Sequence, residues 1–165
     1  GGVGRLFGTI HKASVLNVIP PQRAGIITER AGVADASGWV PVHPDGFESR
    51  QVKDIYVLGD ATIAAPMPKS GFVANVQGRM AAGVIAADLT GQPRPKPTYA
   101  NTCYSLVAPG YAISVSGLYE AKDDQLVELP GLGTSPLDAD SAYRAQEASN
   151  SMGWYESIST EIWDQ

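Results

Sequence analysis

The chain has one cysteine, Cys103, and two histidines, His11 and His43, in 165 residues. A single thiol excludes an internal disulfide framework and a cysteine-rich metal site. Two histidines so far apart argue against a histidine-based metal site, and no metal is expected. No apolar run approaches the roughly 18 residues that a membrane-spanning helix needs, so no membrane segment is expected. Residue 1 opens no secretory signal pattern. The opening Gly1-Gly2-Val3-Gly4 follows no strand, fails as a dinucleotide-binding fingerprint, and reads as a flexible lead-in. Basic residues are scarce in the second part: residues 98–165 carry a net charge of −8, against +3 for residues 1–97. Nucleic acid is therefore not an expected partner. An acidic C-terminal part could meet a basic partner, although a solvated acidic surface explains it equally.

Against those absences stand two features in the middle of the chain. Ile55-Tyr56-Val57-Leu58, between Lys53-Asp54 and Gly59-Asp60, is a short apolar run that predicts a strand buried on both faces. A strand ending in Gly-Asp places a carboxylate at the sheet edge where open α/β folds bind ligands. Gly59 permits close approach to the backbone, and Asp60 can accept hydrogen bonds from ligand hydroxyls. Ten residues on, Ser70 is a strong N-cap for a helix running from about Gly71 to Leu89, with Gly91 as its stop. Val73, Val76, Met80, Val84 and Ala87 recur at helical spacing, and many of the other positions are small. The unpaired N–H groups at Ser70, Gly71 and Phe72, with Lys69 beside them, suit a flat group that becomes anionic, as a reduced flavin does.

The rest of the chain divides in composition. Val15–Ile19 predicts a short strand stopped by Pro20-Pro21, and Trp39–Val42 an edge strand. Residues 31–38 read as a loop, and Gly91–Pro97 as a stiff proline-rich linker. Beyond it, Cys103–Val107, Tyr111–Tyr119 and Leu126–Leu129 predict three strands, with Lys122-Asp123-Asp124 turning the last pair. Tyr111, Ile113 and Val115 alternate with small residues, the period of a half-buried strand. From about Asp140 a helix is expected, with Ala148, Met152, Tyr155, Ile158 and Ile162 on its apolar face. Gly153 should interrupt it and aim Trp154 away from that stripe. The fold class is an α/β segment followed by a small α+β domain, a three-stranded antiparallel sheet plus a helix.

Specific stretches then carry a resemblance. Asn17–Gln22, Gly38–Val42 and Ile55–Asp60 follow the order seen in two-dinucleotide-binding flavoproteins. Ala65-Pro66-Met67-Pro68-Lys69-Ser70-Gly71-Phe72, Asn101-Thr102-Cys103-Tyr104-Ser105-Leu106 and Ala108–Val115 closely resemble the flavoprotein subunit of flavocytochrome c sulfide dehydrogenase. The resemblance runs from about Val15 to the C-terminus. It implies an FAD flavoprotein oxidoreductase that oxidises sulfide through a redox-active disulfide, passes electrons to a c-type cytochrome subunit, and resides in the periplasm. It further implies that Cys103 is one redox cysteine; that Gly59, Asp60, Lys69, Ser70, Gly71 and Phe72 contact FAD; and that Trp154 lines the sulfide pocket. The family's other redox cysteine and its adenine-binding glycines lie in an earlier part of that family's chain. Residues 1–40 would then end a nicotinamide-type domain, 41–97 close the FAD-binding domain, and 98–165 form a C-terminal flavin-binding and interface domain. A chain lacking the missing N-terminal part is expected to be inactive alone. Two other readings compete. A sulfide:quinone oxidoreductase-like flavoprotein calls for an apolar membrane-seating segment near the C-terminus, where Glu156–Gln165 is acidic. A non-catalytic docking or dimerisation module would bind no flavin.

Overall fold

The computed structural model describes residues 2–6 and 9–164, with side-chain surroundings from residue 12 onward. In chain order the elements are β1 (Gly2–Leu6), β2 (Thr9–Ala13), α1 (Ile26–Arg30), β3 (Val40–Pro41), β4 (Thr62–Ile63) and α2 (Gly71–Thr90). They continue with β5 (Thr98–Ala108), β6 (Tyr111–Lys122), β7 (Gln125–Leu129) and α3 (Ser141–Trp163). The glycine-rich opening is not a loose lead-in: β1 pairs antiparallel with β2, from Gly2 opposite Ala13 to Leu6 opposite Thr9. Ladder pairing uses only backbone groups, so glycine weakens such a strand without preventing it. Gly1 lies outside the described residues.

Two expected strands are absent. Val15–Ile19 belongs to no strand, with Val15 86% and Ile19 80% exposed. Ile55–Leu58 is bridged only at Tyr56, to Glu48. Its neighbours are bonded on the same side, Ser49 N–H to the Ile55 carbonyl at 2.7 Å and Val57 N–H to that of Phe47 at 3.0 Å. The run is half-buried, not buried on both faces. An apolar run reports a preference for burial, but a central strand also needs a neighbour on each side, which this segment lacks. The edge strand at Trp39–Val42 does form over Val40–Pro41, pairing in parallel with β4.

Helix α2 follows its sequence signals closely. Ser70 Oγ accepts from Val73 N–H at 3.1 Å, and Gly91, at φ +68°, takes the left-handed conformation that ends the helix. Its buried side is Val73, Gln77, Ala81, Val84 and Ala87. Gln77 is the one polar residue on that line, and its amide oxygen reaches the Gly59 N–H.

The C-terminal sheet has the order β5-β6-β7, antiparallel throughout, and its strands exceed the predicted lengths. Asp123 and Asp124, both at positive φ, make the two-residue turn between β6 and β7. At one end the sheet joins the first part of the chain in a single core: Tyr99 and Tyr119 pack with Val40, Val42, Phe47, Met67 and Val73. Tyr99 meets Phe47 edge-on at 5.3 Å between ring centres, and its hydroxyl donates to the Pro44 carbonyl. Burial pushes the Tyr99 phenol well above its ordinary pKa. The ring of Tyr119 lies over Gly117, where any side chain would collide with it. Arg50 clamps the β6–β7 turn by a bidentate pair with Asp124 at 2.8 and 2.9 Å. Arg50, with His43 nearby, holds the Asp124 carboxyl below the usual range.

The alternation in β6 runs opposite to its hydrophobicity. Ala112 is fully buried beneath α3 and Ser114 partly so, whereas Tyr111, Ile113 and Val115 are 41–50% exposed. Helix α3 keeps only part of its expected apolar face inside, Ala148 buried and Ile158 half-buried. It is capped by Asp140 as expected and runs unbroken through Gly153. Met152, Tyr155 and Ile162 are 47–61% exposed, while Arg144, Glu147 and Ala148 are buried. Trp163, too, is exposed. A polar cluster fills the buried start of α3. Glu147 accepts from Ser114 Oγ at 2.6 Å and Ser135 Oγ at 2.5 Å, and pairs with Arg144 at 3.2 Å. Further along, Arg79 of α2 pairs with Glu161, Nε to Oε1 at 3.0 Å.

Candidate functional site

The residues singled out in the sequence fall into three groups, all built around the first two turns of α2. The first is the turn Gly59–Ala61, a single 3-10 turn. Gly59 sits at φ +67°, and a Cβ there would lie 3.2 Å from that of Ala74, so both conformation and space require glycine. Its N–H donates to Gln77 Oε1 at 2.7 Å, and its carbonyl accepts from Thr62 Oγ1 at 2.9 Å. Lys69 Nζ donates to the Thr62 carbonyl at 3.0 Å and to the Asp60 carbonyl, and lies 3.9 Å from the ring centre of Trp39. Partial loss of water lowers the Lys69 pKa, with the charge of Asp60 opposing the shift. The Asp60 carboxylate makes no hydrogen bond among the described residues. Trp39, Gly59, Thr62, Lys69 and Gln77 line a cavity of about 210 Å³. Gln77, only 1% exposed, presents its amide there with the oxygen taken by the Gly59 N–H.

The second group joins the helix start to the cysteine. Ser70 Oγ, while capping α2, donates to Asn101 Oδ1 at 2.8 Å. Cys103 Sγ donates to the same oxygen at 3.4 Å, and Asn101 Nδ2 donates to the Val115 carbonyl at 3.4 Å. Asn101 is 2% exposed. Two site residues 33 positions apart in sequence thus share one buried acceptor. Cys103 is a free thiol, half-buried, opposite Val115 in the ladder, with Ser105 opposite Ile113 beyond it. It therefore stands on the uncovered apolar face of the sheet.

The third group is a pair of aromatic rings. Phe72, in the first turn of α2, stacks on Trp154 of α3 at 5.7 Å between centres and 20° between planes. Trp154 is half-buried, and its departure from the exposed stripe follows from helical rotation, not from a bend at Gly153. Truncating it should remove one aromatic pair and partial burial, about 1–2 kcal/mol, less than the roughly 3–5 of a core tryptophan. Urea denaturation of Trp154→Ala measures the difference, and a loss above that range would make the ring a core residue.

Residues 95–163 match the family model for flavocytochrome c sulphide dehydrogenase, flavin-binding. Over that stretch, 69 of the 165 residues, the chain is similar to that family. The match takes in β5, β6, β7 and α3, hence Asn101, Cys103 and Trp154. That family is one of flavoprotein oxidoreductase subunits, and FAD is the cofactor that fits it. The chain's own geometry agrees with such a group: a carboxylate with no hydrogen bond among the described residues, a cavity beside the Gly59 turn, and an uncovered apolar sheet face beside a capped helix start. The flavin-binding domain supplies the sheet face, and the preceding segment supplies the turn and α2.

Sequence reasoning assigns no role to Asn101, Gln77 or Trp39. Asn101 lies within the motif that surrounds the cysteine. Gln77 does carry a signal, as a polar residue on the buried line of an apolar helix. Trp39 has none. Among the described residues there is no cluster of metal-ligating side chains, and no helix is long and apolar enough to cross a membrane.

Proposed function

We propose that this chain is the C-terminal part of an FAD-dependent sulfide dehydrogenase that passes electrons to a c-type cytochrome subunit in the periplasm. The observation that carries the reading is the Ser70–Asn101–Cys103 link. It fixes a thiol, on an apolar surface suited to a flat ring, next to the start of α2. Bound FAD supplies an acceptor for an electron pair. Asp60 would hold the ribityl hydroxyls, and the N–H groups of Gly71 and Phe72 would face the pyrimidine edge, where negative charge is favoured. Cys103 would form one half of a disulfide with a cysteine outside this chain. Sulfide attacking that disulfide forms one S–S bond and breaks another, leaving a persulfide on one cysteine and a thiolate on the other. Trp154 would border the pocket that admits sulfide.

The test is anaerobic titration of the intact flavoprotein with sulfide, following the flavin absorption bands. Bleaching at stoichiometric sulfide is the expected result, and bands that persist in excess sulfide would refute the reaction. The 165-residue chain by itself should not retain FAD at about micromolar concentration, because only part of the cofactor's surface meets it. Tight quenching of flavin fluorescence by the isolated chain would refute that statement.

A further inference from the structure

The Gly59–Thr62 turn is held from both ends by side chains that belong to α2 or immediately precede it. Gln77 accepts the Gly59 N–H, and Lys69 donates to the carbonyls of Asp60 and Thr62. An ammonium has three N–H donors. Two of those on Lys69 are spent on backbone carbonyls, and its charge rests against the Trp39 ring. A lysine free to meet a ligand's charge would not have its donors so committed. Between the two anchored ends lies Asp60, whose carboxylate is left without a hydrogen bond among the described residues. Because Gly59 is at positive φ, the direction of Asp60 follows from how the turn is seated against the helix.

We propose that Lys69 and Gln77 are positioning residues that act on the cofactor through the Gly59–Thr62 turn, by aiming Asp60, and not through direct charge contact. This rests on the reading of Asp60 as the ribityl-binding carboxylate. Gln77 sets the glycine end and Lys69 the threonine end. Binding of a polyol chain by one carboxylate is sensitive to misplacement of about 1 Å. A turn released at either end therefore loses affinity in both redox states of the cofactor.

Two measurements test it. In this chain, without cofactor, amide hydrogen exchange reads the turn itself. Gln77→Leu should expose the Gly59 amide, and Lys69→Met should loosen residues 60–62, each raising local exchange about tenfold or more. In the flavoprotein that carries this chain, Lys69→Met should weaken FAD binding about tenfold, with Lys69→Arg recovering most of it and the midpoint potential unchanged. In an Asp60→Ala background, Lys69→Met should cost nothing further, since its route to the cofactor has been removed. Native exchange rates in both variants overturn the proposal, whatever the cofactor does. A lower potential in Lys69→Met, with equal losses of affinity in both backgrounds, overturns it in favour of direct contact. Retention of FAD by Asp60→Ala at native affinity removes Asp60 from the site reading, and the positioning proposal falls with it. The exchange data then show separately whether the turn is held.

Discussion

Glu147→Ala should destabilise the chain by about 3–5 kcal/mol, because it strands a buried arginine. Arg144 is 4% exposed and Glu147 5%. The Arg144 Nε atom already lacks a partner, so removing the carboxylate leaves the cation the Pro136 carbonyl as its one hydrogen-bond partner among the described residues, beside the Tyr111 and Tyr143 rings. The same change deprives Ser114 and Ser135 of their shared acceptor. A typical domain is stable by only about 5–15 kcal/mol, so the variant should sit near the edge of folding. The double replacement Arg144→Met with Glu147→Leu should cost much less than Glu147→Ala, since no charge is stranded. Chemical denaturation of both variants measures this, and equal losses would show that packing, not charge, holds the pair.

The pH dependence of the same cluster has a definite sign. Burial disfavours the charged form of Glu147, but hydrogen bonds from Ser114, Ser135 and Arg144 outweigh it and hold the pKa below the ordinary 4.5. The unfolded chain therefore binds the proton first as acid is added. The stabilisation is complete above about pH 4.5 and is lost as pH falls through the folded value. In Glu147→Gln this component of the acid dependence should vanish.

Cys103→Ser should reduce sulfide turnover by the intact flavoprotein roughly a thousandfold or more, while FAD stays bound. The thiol's hydrogen-bond partner is Asn101 Oδ1, at 3.4 Å, and a serine hydroxyl can donate to the same atom. The Ser70–Asn101 junction and the sheet face should therefore survive the exchange. What serine cannot do is form and break a sulfur–sulfur bond. Flavin absorbance and steady-state turnover, measured on one preparation, separate the two effects. Near-native turnover in the serine variant would take Cys103 out of the mechanism.

Local signals are the most legible part of the sequence. Ser70, Gly91 and Asp140 lie where the chain enters or leaves a helix, and Asp123-Asp124 where it reverses. Each is a preference satisfied within a few residues, so no tertiary knowledge is needed. Partnership is not legible. Ile55–Leu58 has the composition of a central strand and half its hydrogen bonding. The Met152–Tyr155–Ile162 stripe has the spacing of a packed face but is exposed, whereas Arg144, on the same side of the helix as Tyr155 and Ile162, is buried with Glu147 against the Ser114–Ser135 hydroxyls. Hydrophobic periodicity cannot register a buried ion pair. The site is legible in its cysteine, helix start and Gly-Asp turn. Asn101 and Gln77, which tie these together, are single amides that, apart from Cys103, bond to residues 14–31 positions away.

The double duty of Ser70 narrows what evolution can place there. Serine, threonine, aspartate and asparagine are ordinarily near-equivalents at a helix cap, since each offers an oxygen to the first turn. Here the same group must also give a proton to Asn101 Oδ1, which an ionised carboxylate cannot do. Turning the Asn101 amide over to suit an aspartate would set its oxygen against the Val115 carbonyl and deprive the thiol of its acceptor. Aspartate should therefore be missing from position 70 among working relatives, while residues that both accept and donate there remain open. Drift from serine to aspartate there would mark a lineage in which the cysteine has lost its task.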